Sequence, residues 1–397
     1  MSAALTPPRR WLGVLVVLLS ACTAAPDTPT VAPTVTSRPI VRPTVTPIAS
    51  PTLAATATPA APPTPTPDTR LMTTFAPDVN PLTGEKVSDP AVLDRRPIAI
   101  KIGNSTEVGV RPQAGASYAD WVFEHETEGG IPRWTAVFYG DAPDRVGGTR
   151  SCRIIDGEIP AIFKSLLACS GFSGGTREYY IKPADFTQEG RSYSPDFGDW
   201  TPIFFRLDNA VAPHNMFVNP ARLWEDATAK GTNIRPDLSG LAFSLQPLKP
   251  GTPATELRVN YPADKILWRY DPAATTCGSL PGCYLRFSGG APQTDILNGQ
   301  QLSAANVLVL YANHVEDGRY LEADYGPFKA FSLQIQLWNS GPAKLVRDGQ
   351  AFDGTWNRFN RHDMLTFKDT AGNVLPLRPG NTWVELVRLD AVVETQP

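Results

Sequence analysis

The sequence is poor in the features that announce common enzyme classes. It has no Gly-x-Gly-x-x-Gly following a strand-like run, no Gly-x-x-x-x-Gly-Lys-Ser/Thr and no His-Glu-x-x-His, so nucleotide and zincin chemistry are unsupported. Its four histidines are isolated, and its five cysteines form no Cys-x-x-Cys and no Cys/His cluster. No zinc site or other cofactor is therefore expected. Positive charge is not in excess: 36 Lys and Arg face 39 Asp and Glu, a net charge of -3. That balance gives no basic face for nucleic acid. The one N-terminal apolar run falls short of the ~20 residues that a spanning helix needs. From Thr23 to Arg70 there is not one aromatic residue.

What is present begins with an export signal. Arg9 and Arg10 precede the apolar run Trp11 to Leu19, and Leu19-Ser20-Ala21-Cys22 resembles a bacterial lipobox. That resemblance implies diacylglycerol on the Cys22 sulfur, cleavage just before Cys22, and a chain held to the membrane from outside the cytoplasm. Each buried methylene of such a lipid contributes about 0.8 kcal/mol. Residues 1–22 are read as this signal. An uncleaved anchor helix is the alternative. The Pro- and Thr-rich stretch that follows, a linker over 23–76, buries too little apolar surface to offset its ordering entropy. Its 23–70 part reaches on the order of 150 Å when fully extended at about 3.1 Å per residue.

Composition turns globular near Asn80. Two domains are expected: a mixed α/β domain over 77–245 and a mainly antiparallel β domain over 255–392, an α+β chain as a whole. In the first, Pro97 to Lys101 and runs near 119–124 and 134–139 read as strands. Glu158 to Ala168 reads as a helix, with Ile159, Ile162, Phe163, Leu166 and Leu167 at helical spacing. Strands are expected near Glu178 to Lys182 and Pro202 to Leu207. A helix should start at Pro220, capped by Asn219 and closed by Gly231. Pro236, Pro247, Pro250 and Pro253 mark a loop-rich boundary. In the second domain, Glu256 to Tyr261, Lys265 to Tyr270, Asn306 to Tyr311, Phe331 to Leu337 and Thr382 to Leu389 read as strands around a barrel or sandwich core. Asp348-Gly349 reads as a hairpin turn. An exported chain can keep disulfides. The short loop between Cys277 and Cys283 favours a local bridge, which leaves Cys152 with Cys169.

The stretch from Trp121 to Asp156 crowds charges of both signs between apolar runs and Gly-rich turns: Glu124, Glu126, Glu128, Arg133, Arg150, Arg153 and Asp156. Several multi-residue blocks surround it. Asn80-Pro81-Leu82-Thr83-Gly84 comes first, then Arg96 to Asn104, Arg111-Pro112-Gln113 and Ala119 to Glu124. Glu128 to Arg133, Val146-Gly147, Arg150-Ser151, Arg153 and His214-Asn215 follow. Gly354 to Arg358 and Pro379 to Trp383 stand in the second half. Together, and in this order, the blocks resemble the YerB-type lipoproteins, a two-part family of unknown function in the bacterial envelope. The resemblance covers nearly all of the globular chain. It implies a lipoprotein with an N-terminal mixed domain and a C-terminal β domain, and no settled activity. Cys152 and Cys169 depart from the family pattern, which fits a disulfide peculiar to this chain.

Two functions follow from the charged stretch. In the first, the chain binds a cell-wall polymer, a peptide or a partner protein through a charged cleft made of Glu124, Glu128, Arg133, Arg150, Arg153, Asp156, His214 and Asn215. Arginine forks hold carboxylate or phosphate bidentately. Trp121, Trp134 and Tyr139 would offer flat surfaces to sugar rings. The bland counterpart is a structural network in which these arginines pair with Glu124, Glu128 and Asp156. In the second, Glu124 with Asp156, or with Glu128, forms the two-carboxylate pair of a wall-polymer hydrolase. A third arrangement, a Cys152 nucleophile, is weak: Gly148 to Arg153 resembles the Ser-x-Gly-Cys-x-Arg region of L,D-transpeptidases but lacks the Gly before the Cys, and no base is placed. His125 reads as a solvated strand end, and His314 and His362 as loop residues. Binding without catalysis is the reading adopted.

Overall fold

Apolar runs from both halves of the chain become strands of one sheet. The computed structural model describes residues 71–248, 251–324, 326–327 and 329–397. The signal, Cys22 and the linker up to residue 70 lie outside the described residues. The strands used below are β1 (Ile98–Gly103), β2 (Trp121–Glu126), β3 (Pro132–Phe138), β4 (Leu166–Ala168), β5 (Ser192–Tyr193), β6 (Glu256–Tyr261), β7 (Asp264–Asp271), β8 (Cys283–Ser288), β9 (Asn306–Asp324), β10 (Lys329–Gln336), β11 (Asn339–Arg347), β12 (Gln350–Arg358) and β13 (Thr382–Arg388). The main sheet runs β12-β11-β9-β13-β2-β3-β1-β4-β5, with Thr252–Pro253 on its β12 edge and β10 paired to β9. A smaller sheet runs β8-β7-β6 and is extended by Val393–Gln396.

The join between the halves is β13. It pairs parallel to β9 on one side and to β2 on the other, setting Glu385 beside both Val309 and Glu124. The described residues belong to one compact unit. Successive residues of a strand point to opposite faces. Trp121 and Phe123 therefore enter one core layer with Ile155, Ile162, Phe163, Leu308 and Leu386. Val122 enters the other, with Trp134, Val307 and Trp383, against Leu257, Trp268 and Tyr284 of the smaller sheet. That second layer is sheet-on-sheet packing; a barrel or sandwich was expected within the second half, and the larger of the two sheets draws strands from both halves.

Several expectations hold. The hairpin at Asp348-Gly349 joins β11 to β12, with both turn residues at positive φ. The helix Pro220–Ala229 is capped by the Asn219 side chain, which accepts from the Arg222 N–H at 3.0 Å. Both disulfides form as paired, Cys152–Cys169 and Cys277–Cys283. Others need correction. The helix expected over 158–168 is a single turn, Ile159–Ile162. Lys164 takes a positive φ of 48°, and Leu166 to Ala168 pair in parallel with Ile98 to Ile100. Burial on every side had mimicked a helical stripe. Glu178 to Lys182 is not a strand: it continues the helical segment Gly174–Thr176 and Arg177–Ile181. The second half is antiparallel except for its closing strand. His314 lies in β9 rather than in a loop.

Candidate functional site

Glu124 and His125 are neighbours on β2, so their side chains leave the sheet on opposite faces and meet two different charged clusters. On the Glu124 face the cluster is closed. Arg286 of β8 bonds Glu124 through Nη2 at 2.7 Å and faces Glu385 through Nη1 at 3.5 Å. All three side chains are fully buried. Glu124 also accepts from Asn104 Nδ2 at 2.8 Å and Trp383 Nε1 at 3.3 Å. Glu385 accepts from Trp268 Nε1 at 2.8 Å and Tyr261 Oη at 2.9 Å. The rings of Trp134, Trp268 and Trp383 surround the guanidinium, with centroids 5.5, 5.4 and 4.9 Å from Cζ. Burial, opposed by Arg286, raises the Glu124 carboxyl above the usual carboxylate range; the neighbouring Glu385 adds repulsion. Two carboxylates side by side around one guanidinium share a single compensating charge, so keeping a proton on one of them is the cheaper state.

On the His125 face the cluster opens outward. Its floor is buried: Lys101 bonds Asp156 at 2.8 Å, Thr135 Oγ1 at 3.1 Å and His125 Nε2 at 2.5 Å. His125 Nδ1 donates to the Glu126 carbonyl at 3.0 Å, which fits a neutral ring whose Nε2 accepts from the lysine. Burial, then the Lys101 charge, holds His125 well below its ordinary value, and burial lowers Lys101 to about 8. Asp156 takes two more bonds, from Thr135 Oγ1 at 2.6 Å and the Arg153 N–H at 2.6 Å. Above this floor sit three half-buried arginines. Arg153 pairs with Glu128 at 2.5 Å. Arg133 donates to the Ser151 carbonyl at 3.1 Å, and Arg150 bonds His214 Nδ1 at 3.1 Å. Neither Arg133 nor Arg150 has a carboxylate within 4.0 Å among the described residues. Burial, then repulsion from Arg153, lowers the Arg133 guanidinium below its usual value; burial does the same to Arg150.

Local structure fixes this arrangement. The bridge from Cys152 to Cys169 ties the arginine segment to the end of β4. Gly103 lets the segment lie against the sheet, since a Cβ there would meet Arg150 Cγ at 2.8 Å. At Gly148 a Cβ would meet the His214 carbonyl oxygen at 2.1 Å, so only glycine lets the 214 loop approach.

The candidate residues therefore divide. Glu128, Arg133, Arg150, Arg153 and His214 come together, with Asp156 beneath them. Glu124 lies across the sheet. Asn215 faces away, accepting from Arg206 at 2.7 Å and donating to the Leu207 carbonyl at 3.1 Å. Trp121, Trp134 and Tyr139 are fully buried and present no face to a sugar ring. His125 is likewise fully buried rather than a solvated strand end. Cys152 is spent in its disulfide and offers no nucleophile. Lys101, Thr135, Arg286 and Glu385 were missed. A lone lysine inside the apolar run Ile98–Gly103 was the available signal for Lys101, because a buried charge must be paired. Among the described residues no group of His, Cys, Asp and Glu could hold a metal ion, and no helix is long and apolar enough to cross a membrane.

Two family models match the chain. Residues 82–233 match the N-terminal domain and residues 257–384 the C-terminal domain of DUF3048, described as a protein of unknown function. The chain is 28% identical over 314 residues to "Putative lipoprotein YerB" of Bacillus subtilis (strain 168), covering 77% of this chain and 85% of that protein. It is also similar to the crystal structure of YerB protein from Bacillus subtilis. The TM-score is 0.61 at 26% identity, over 80% of this chain and 99% of that one.

Proposed function

The chain belongs to the DUF3048 family of proteins of unknown function, and we propose that it is a lipid-anchored extracytoplasmic protein that binds an anionic group of an envelope polymer, peptide or partner protein through Arg133 and Arg150. The lipid anchor rests on the Leu19 to Cys22 lipobox and on the name of the Bacillus relative. The binding rests on one observation. Two neighbouring guanidiniums are half-buried without a carboxylate of their own, although burial strips them of water. A carboxylate or phosphate entering between them would supply the missing charge bidentately. Arg153 and Glu128 form the fixed side of this site, and His214 orients Arg150.

Carboxylate-dependent hydrolysis is the weaker reading. Glu124 leaves the sheet on one face and Asp156, from the helical turn Ile154–Gly157, packs over the other, both fully buried, so they do not flank one substrate. The test is retention of the purified full chain on cell-wall fragments bearing carboxylate and phosphate groups. Replacing both Arg133 and Arg150 by alanine should weaken retention about a hundredfold or more, as expected for two charge-assisted bonds of ~1.5–3 kcal/mol each. Glu124→Gln should leave retention intact. Undiminished retention by a folded double variant defeats the proposal. Turnover of the fragments that is abolished by Glu128→Gln would favour the hydrolase.

A further inference from the structure

Glu128 has a second role open to it. Its side chain is 8% exposed; Oε2 takes Arg153, and Oε1 is buried with no hydrogen-bond partner. The same residue lines a groove of about 370 Å³ between the turn at Glu126–Gly130 and the two-stranded arm made by the outer parts of β9 and β10. The turn is docked firmly. Gly130 has φ +74°, a Cβ there would meet Pro262 Cβ at 2.5 Å, and its carbonyl accepts from the Ala263 N–H at 3.2 Å. The walls are Pro262, Ala330, Phe331 and Leu333. The charges at its edge are not balanced. Arg388 is held by both oxygens of Glu126 at 2.8 and 2.9 Å. Exposed Glu316, on the arm, forms no ion pair among the described residues.

The groove thus offers an apolar wall, one exposed carboxylate and one buried acceptor without a donor, and no free cation among the described residues. A buried carboxylate oxygen without a partner carries a desolvation cost that a donor would relieve. The volume falls in the range of small-ligand sites. We propose that this groove binds an aliphatic ammonium group, its stem on Phe331 and Pro262 and its nitrogen between Glu128 and Glu316. The occupant is a free alkylamine or a lysine side chain of a peptide. This goes beyond the anion site, which meets the groove at the shared Arg153–Glu128 pair and needs a ligand of the opposite charge.

The test is a chemical-shift titration of the intact chain with n-pentylammonium, n-pentanol, n-pentanoate and an acetylated lysine amide. Pentylammonium should bind at least about tenfold more tightly than pentanol, and pentanoate should not saturate. Tighter binding of the lysine amide assigns a peptide source; tighter binding of the alkylamine assigns a free amine. Glu128→Gln should weaken pentylammonium about tenfold, and Phe331→Ala and Glu316→Gln about threefold each. The last two leave the Arg153 pair untouched, so they stand if Glu128→Gln fails to fold. Arg133→Ala should change nothing here, which separates this groove from the anion site. Equal binding of pentanol and pentylammonium, or indifference to all three groove variants, overturns the proposal.

Discussion

The two faces of strand β2 carry charge in opposite ways. Behind Glu124, the cation Arg286 meets two carboxylates and three tryptophan rings, and all three charged side chains are fully buried. Behind His125, the buried Lys101–Asp156 pair supports arginines that reach the surface, two of them without an acidic mate. Mixed charge is a property of both, so composition alone does not tell scaffold from site. Satisfaction does. Where the charges are enclosed together inside the fold, the network holds the halves together; where a half-buried cation is left without an acidic partner, a ligand can supply it.

That contrast can be broken most forcefully at Arg286. Arg286→Met leaves Glu124 and Glu385 adjacent and buried without a cation, and should cost about 3–5 kcal/mol in urea unfolding. Arg133→Met should cost under about 1 kcal/mol, as expected of a half-buried arginine with no charged partner. Comparable losses from the two would mean that the open cluster is scaffold as well. The next effect is confined to the open face. Removing the Cys152–Cys169 bridge with paired serines should lower stability by about 3 kcal/mol for a loop of this size and loosen Arg150 and Arg153. Anion retention should fall with it, while the tryptophan fluorescence of the closed cluster stays native below the unfolding midpoint. The smallest effect sharpens the contrast through pH. A carboxyl whose folded pKa is raised gives stability that is complete below its unfolded value, near 4.3, and is lost as pH rises through the folded one. Through Glu124 stability should therefore fall above about pH 4.3, by at most ~1.4 kcal/mol per unit, with the buried Asp120 and Glu385 carboxyls, both also raised, adding slopes of their own. Glu124→Gln should flatten that slope, as read from urea midpoints across pH.

How much of this was legible in the chain depends on where the partners come from. Strands β2 and β3 were visible because their apolar runs are bounded by turns. The Asp348-Gly349 hairpin was visible because its turn chemistry is local. The helix expected over 158–168 failed because the strand at Leu166 is imposed by Ile98, far away in sequence. The crowding of the charged stretch is visible in the sequence, but its division is not. Glu124 finds Arg286 162 residues away, and Glu385 lies further still. No local pattern in β8 marks Arg286 as different from a surface arginine. The alternation within β2 was readable, and it already set Glu124 and His125 on opposite sides. What it lacked was knowledge of the layer that each would meet.

The parallel seat of β13 bears on the order in which such a chain can fold. Until Thr382 to Arg388 have emerged, β2 and β9 each present an open edge, and Glu385 has not arrived to share Arg286. The central sheet cannot close before this strand is made, and a chain cut short upstream of it is left with two unzipped borders.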